Sequence, residues 1–211
     1  MLLGVIAAVE SYLRTIFRKL ILVDQVCQES VHKRDVSFGA AIHLSKEMLP
    51  EAILEKTSFI SSDNINNAMR DLLAIKGNLP PELSQATADY VRICHLRHCA
   101  VHRFGKLGVN NAIYLGLAKH RNLLEKPLLL NYIALQNAIA IATNFVKTIN
   151  NFLFNEMLSR VPRNKWTGRY RSDRKLFSIY FELFSDTVSA AGASPDIKQL
   201  YKQFISQISR E

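Results

Sequence analysis

The chain has 211 residues, 48% of them hydrophobic, with a formal net charge of +9 and an isoelectric point near 9.6. That length and apolar content allow one large packed domain, or a domain with an appendage, and exclude a disordered chain. The three cysteines, without a secretory signal, point to a reducing, cytoplasmic setting and no disulfide framework; the positive excess favours an anionic partner, nucleic acid before membrane.

The apolar run Met1–Val9 lacks a basic leader region and is about half the length needed to span a bilayer. Leu2, Ile6, Val9, Leu13, Ile16 and Leu20 keep helical spacing, which predicts a core helix over 2–23. Residues 24–35 are polar and read as a helical continuation or a loop. A second helix is expected over 37–48, broken at Pro50 and resumed over 51–56, and Ser58 to Ser62 reads as a loop. Asp63 looks like an N-cap for a helix carrying Ile65, Met69, Leu72, Leu73 and Ile75, with Gly77 ending it.

Pro80-Pro81-Glu82 opens the next helix, since proline suits a first turn and an acid beside it complements the helix dipole. Its apolar stripe runs Leu83, Ala86, Tyr90, Cys94, Val101 and Phe104, and Arg97 falls within that stripe as its only charge. A guanidinium on a core-facing stripe is costly unless it is paired or faces a cleft. His95, His98 and His102 form an adjacent stripe, and Gly105 and Gly108 supply the stop. Beyond Gly108, Asn110-Asn111 leads into a short helical patch to about Leu117, then His120-Arg121-Asn122. Pro127 is expected to open the longest helix, about 30 residues carrying Leu128, Leu135, Ile139, Val146, Ile149, Leu153 and Met157. No useful strand-type alternation and no internal repeat occurs.

The string Arg97-His98-Cys99-Ala100-Val101-His102, followed by Arg103-Phe104-Gly105, resembles the R-x4-6-H signature of HEPN domains. The resemblance is sharp over about a dozen residues and elsewhere, from Leu2 to Leu158, consists of helix order. It implies an all-α, HEPN-like helical bundle over residues 1–159 and a two-fold homodimer. Many such domains are metal-independent endoribonucleases of toxin–antitoxin, anti-phage and CRISPR systems, whereas others only bind. The residue after the motif arginine is most often Asn or another small polar residue, and here it is His98. Arg92 with His98 also fits the loose spacing, although the stripe favours Arg97.

The resemblance implies catalytic roles for Arg97, His102 and His98, and the chemistry is coherent. Metal-free RNA cleavage needs a base for the ribose 2′-OH, an acid for the leaving 5′-oxygen and a cation for the phosphorane. Imidazole fills either proton role near neutrality and arginine clamps phosphate. DNA lacks the 2′-OH, so RNA is the expected substrate, tRNA among the possible targets. Arg97 and His102 lie about 140° apart around the helix, so the pair converges only through the long arginine reach or across a dimer axis. Opposing this is an ion-paired structural Arg97 and a His102 that caps the helix end. His98 reads equally as a second proton-transfer or phosphate-binding group or as a packing residue, and His95 as structural.

His95, His98, Cys99 and His102 also have i/i+3 and i/i+4 spacings suited to zinc. Four ligands from one helix cannot surround a metal tetrahedrally, and HExxH and CxxC are missing, so no metal or other cofactor is expected.

Residues 160–175 hold Arg160, Arg163, Lys165, Arg169, Arg171, Arg174 and Lys175 against Asp173 alone, giving +6 of the chain's +9. Trp166 and Tyr170 interleave, and Pro162 and Gly168 break helix. This segment is expected to bind RNA, with cations on phosphates and aromatics stacking on bases, as against an ordinary solvated loop. It lacks the apolar face of a membrane-surface helix. Two closing helices, over 176–188 and 194–209, complete a 160–211 appendage packed on the same domain. The expected partners are therefore RNA, a second copy, and an antitoxin or other defence-system protein, with no membrane. The alternatives are a catalytically inactive HEPN-like module that binds RNA or protein, and a structural or regulatory subunit whose apolar N-terminus docks a partner protein.

Overall fold

A computed structural model describes residues 1–186 and 196–208. The described residues are helical and contain no strand, which bears out the all-α expectation. The chain divides into two compact units, residues 1–148 and 149–211. The division falls within the longest helix rather than at its end.

In the first unit, α1 (Leu2–Val23) buries all six residues of the expected stripe, together with Phe17 and Ile21. The polar stretch after it is helical: α2 (Gln25–Val31) is capped by Asp24, whose side chain accepts from the Cys27 amide at 3.0 Å. The helix expected over 37–48 is shorter. It stops as α3 (Phe38–His43), which has no buried residue, and α4 (Leu49–Leu54) begins before Pro50. Proline opens that helix rather than breaking it, because a first-turn residue has no intrahelical acceptor for its missing N–H. Arg14 of α1 then satisfies the far end of α4, donating to the carbonyls of Leu54 at 2.8 Å and Thr57 at 2.7 Å. The N-cap of α5 (Ser62–Leu73) is Ser61, not Asp63; its hydroxyl accepts from the Asn64 amide at 3.2 Å, and Asp63 sits in the first turn. The helix ends at Ala74 in the left-handed region, three residues before Gly77.

Helix α6 (Pro81–His102) starts at the expected prolines and packs against α1, α5 and α7 (Val109–His120). Gly116 kinks α7. Pro127 does not open the long helix. Residues 105–107 and 125–128 pair as a short antiparallel bridge, with Leu107 N–H donating to Lys126 at 3.1 Å and Leu128 N–H to Gly105 at 2.7 Å. That pairing holds Pro127 extended, so α8 (Tyr132–Arg160) begins after Asn131, whose side chain caps the Ala134 amide at 2.9 Å. Ala138, Ala142 and Phe145 of α8 are buried, and Phe145 stacks on Tyr90 of α6 with ring centres 4.6 Å apart. Small residues at 138 and 142 take the positions the sequence pattern gave to Leu135 and Ile139, the latter exposed.

The second unit is built from the last turns of α8, from α9 (Tyr170–Phe184) and from α10 (Ile197–Ile208). Its core is aromatic. Phe177 is fully buried and meets Phe154, Trp166, Phe181, Tyr201 and Phe204 at ring-centre distances from 5.4 to 6.5 Å. Helix α9 starts six residues earlier than expected. Val188, Ser194, Pro195 and Ser209, used for the predicted ends of the closing helices, lie outside the described residues. No helix among the described residues is long and apolar enough to cross a membrane.

Candidate active site

The motif lies in the last two turns of α6. Up to Cys94 the helix buries the predicted stripe: Leu83, Ala86, Tyr90 and Cys94 are all inside. Beyond Cys94 it does not. Val101 is exposed and Phe104 is 98% exposed, so the stripe that was to carry Arg97 into the core ends one turn earlier. The physical reason is the approach of α7, which covers a different flank. The next buried residue is Cys99, about 140° around the helix from Cys94, where it packs with Leu107 and Ala112.

Arg97 is therefore half-buried rather than sunk in the core. Among the described residues no carboxylate pairs with it. Its charge acts on Tyr90 and Cys94, as does that of Glu10 on α1, whose carboxylate accepts from the Phe59 amide at 3.3 Å. Burial nevertheless dominates at Cys94 and pushes its thiol up to about 12, so this cysteine is a packing residue and no nucleophile.

His98 and His102 stand together on the exposed side, their rings tilted with centres 4.8 Å apart. Local desolvation, then the neighbouring His102, His95, Arg97 and Arg103, lower the His98 pKa below its ordinary value. A neutral His98 at pH 7 is a proton acceptor ready for use. His95, one turn inward, lies with its Nδ1 3.2 Å from the Asn111 side-chain oxygen and stacks on Tyr114. The structure thus joins His98 and His102, leaves Arg97 as an electrostatic neighbour of His98, and shows no hydrogen bond between Arg97 and either ring among the described residues.

The turn after His102 is tightly fixed. Gly105 N–H reaches back to the Cys99 carbonyl at 3.0 Å, Phe104 and Gly105 both take positive φ (53° and 78°), and Arg103 is ion-paired to Glu125. Gly108 lies against the Arg103 side chain, 3.0 Å from where a Cβ would sit. Neither Glu125 nor Asn111 stands out in the sequence, because both reach the motif from the following segment.

The basic segment is more ordered than a solvated loop. Arg163–Lys165 forms a single 3-10 turn, Gly168 has φ +74°, and Tyr170 onward is helix. Arg163, Lys165, Arg169, Arg171, Arg174 and Lys175 are exposed, whereas Arg160 is half-buried and paired with Glu156 at 3.4 Å. The two aromatics are not displayed for bases. Trp166 packs edge-on against Phe177 and Phe204, and Tyr170 against Tyr201 with Lys198 over its ring. They sit half-buried against the aromatic core of the second unit because their apolar surface gains more from Phe177, Phe204 and Tyr201 than from water.

What orders the segment is its single acid. Asp173 is only 3% exposed and accepts from the Thr167 amide and hydroxyl, the Gly168 amide and the Tyr201 hydroxyl. Burial opposes its ionisation, but the bonds from Tyr201, Thr167 and Gly168 outweigh it and hold the carboxyl below the usual carboxylate range. The chain matches no family model, no curated protein and no solved structure, so the reading of function rests on these residues themselves.

Proposed function

We propose that the chain is a HEPN-type, metal-independent endoribonuclease of a defence or toxin system, acting as a homodimer. The observation that carries this reading is the pair of exposed imidazoles, His98 and His102, beside an arginine that no carboxylate neutralises among the described residues. Such an arginine is available to a phosphate, which it binds bidentately. A neutral imidazole takes the 2′-OH proton as that oxygen attacks phosphorus. The P–O5′ bond breaks, the leaving oxygen receives a proton from the second imidazole, which enters the step as imidazolium, and a 2′,3′-cyclic phosphate remains. His102 is the principal proton-transfer group and His98 its assistant. The reading includes a second copy for two reasons. It would bring another Arg97 to the histidines, and it would cover apolar residues that water now meets, Leu129 at 83% and Ile133 at 67% exposure among them.

The six exposed cations of the basic segment suit the same substrate through its phosphates. They would serve a catalytically silent RNA-binding module equally well, and tight RNA binding without turnover selects that second reading. The direct test is cleavage of RNA by purified protein in excess chelator, with product ends analysed. Cyclic-phosphate ends, lost in both Arg97→Ala and His102→Ala, are expected. Full activity of His102→Ala ends the assignment.

A further inference from the structure

We infer that Tyr114, braced by His95, is a nucleobase-binding platform beside the histidine row, which makes single-stranded or splayed-out RNA the preferred ligand; this rests on the ribonuclease reading and names the form of its substrate. Tyr114 is 72% exposed, an unusual position for a ring that is nevertheless held flat. One of its faces stacks on His95, with centres 4.5 Å apart and planes 14° from parallel. His95 is fixed in turn by Asn111, a buried amide on the first turn of α7, at 3.2 Å. A side chain ordered in this way has already lost the rotamer freedom that stacking a ligand would cost.

Its place relative to the chemistry follows from the helix. His95, His98 and His102 lie on one flank of α6, and His95 acts electrostatically on His98. The rise from His95 to His102 is about 10 Å, which is the reach of one or two nucleotides. A phosphate held at Arg97 and the outer histidines therefore brings a neighbouring base to the open face of Tyr114. Stacking accepts any base but requires it to be unstacked from its own strand, so a duplex is excluded where a loop or single strand is not. The sequence pattern does not reveal the platform, because Tyr114 comes from α7 and joins the motif only through the approach of α7 to α6.

The test uses the native full chain and a short oligoribonucleotide made uncleavable by 2′-O-methyl groups, which block the attacking 2′-oxygen, with one 2-aminopurine, free or annealed to its complement. Binding of the single strand is expected to change the probe's fluorescence. Tyr114→Ala should weaken that binding about fivefold to about 100-fold, Tyr114→Trp should restore it, Tyr114→Leu should not, and duplex binding should be unaffected. Equal losses for both RNA forms, no loss, or rescue by leucine overturns the inference. So does a fall in the oligomer mass of Tyr114→Ala, which would make the ring a subunit contact. If native protein cleaves RNA and Tyr114→Ala leaves KM unchanged, the platform fails while the ribonuclease reading stands. If native protein never cleaves but the probe response depends on the ring at 114, the ribonuclease reading fails instead. Absence of any RNA binding overturns both.

Discussion

Asp173→Ala should unfold the second unit selectively, and the structure allows the size of the effect to be worked out. The carboxylate is buried and accepts from four donors on Thr167, Gly168 and Tyr201. Thr167 and Gly168 are exposed, so water replaces the lost acceptor for them and each bond costs little. Tyr201 is 2% exposed, and its stranded hydroxyl carries a desolvation penalty of about 1–3 kcal/mol. With the charge-assisted bonds at about 1.5–3 kcal/mol each and well short of additive, a total near 3–4 kcal/mol is expected. Trp166 is the chain's sole tryptophan and packs in this unit, so its fluorescence in urea reports this unit's unfolding. At about 1 kcal/mol/M for a unit so small, the midpoint should fall by about 3 M. The sign with pH is fixed as well. Because the folded carboxyl is held below its unfolded value of about 3.9, the contribution is complete above that value and is lost as pH falls through the folded pKa. The difference between native protein and Asp173→Ala should therefore shrink below about pH 4. A cost under about 0.5 kcal/mol at pH 7, which is ordinary for a surface change, or a difference indifferent to pH, would refute the reasoning.

Two further outcomes follow from the same geometry. With six exposed cations on the basic segment, the logarithm of the binding constant for single-stranded RNA should fall against the logarithm of salt with a slope of about −4 if all engage. Replacing Arg171 and Arg174 by glutamine should flatten that slope by about 1.4, and an unchanged slope would remove the segment from the interface. Phe104 is almost wholly exposed at φ +53°, so Phe104→Gly should relieve strain and raise the midpoint of thermal unfolding, by about 0.5–1 kcal/mol of stability; a destabilised variant would show that the ring has a packing role.

Much of the helical skeleton was legible because burial imposes a period. All six stripe residues predicted for α1 are inside, as are Ile65, Met69, Leu72, Leu73 and Ile75 around α5. Misreadings occur where a local signal has two physical outcomes. Pro50 can end a helix or start one, Ser61 and Asp63 can both cap, and Pro127 is claimed by a backbone bridge to Lys106, on the far side of α7 in the chain. At the site, the histidine row follows from spacing alone. The half-burial of Arg97, the Asn111–His95 bond and the turn held by Glu125 depend on the second helix crossing the first. Composition located the basic segment but not the fate of Trp166 and Tyr170, since the aromatic cluster that captures them is assembled from α9 and α10.

The end of α6 departs from the logic that governs the rest of the helix. Its first four turns bury a stripe, and its last two expose two imidazoles and a valine, with Phe104 exposed just beyond, while among the described residues no carboxylate pairs with the guanidinium. Folding alone gives little return for that arrangement: apolar surface stays wet and a cation stays half-desolvated. Yet the backbone that follows is not loose. It is held by Gly105 on Cys99, by the pairing of residues 105–107 with 125–128, and by Arg103 on Glu125. Rigid support beneath a surface that gains nothing from being rigid is the condition of a site preorganised for something outside the chain. In the proposed reading a polyanion would supply a counter-charge for Arg97, and a second copy would cover the apolar rim. Together they would account for both departures with one assembly, and that economy is the ground on which the RNA-cleaving dimer is proposed.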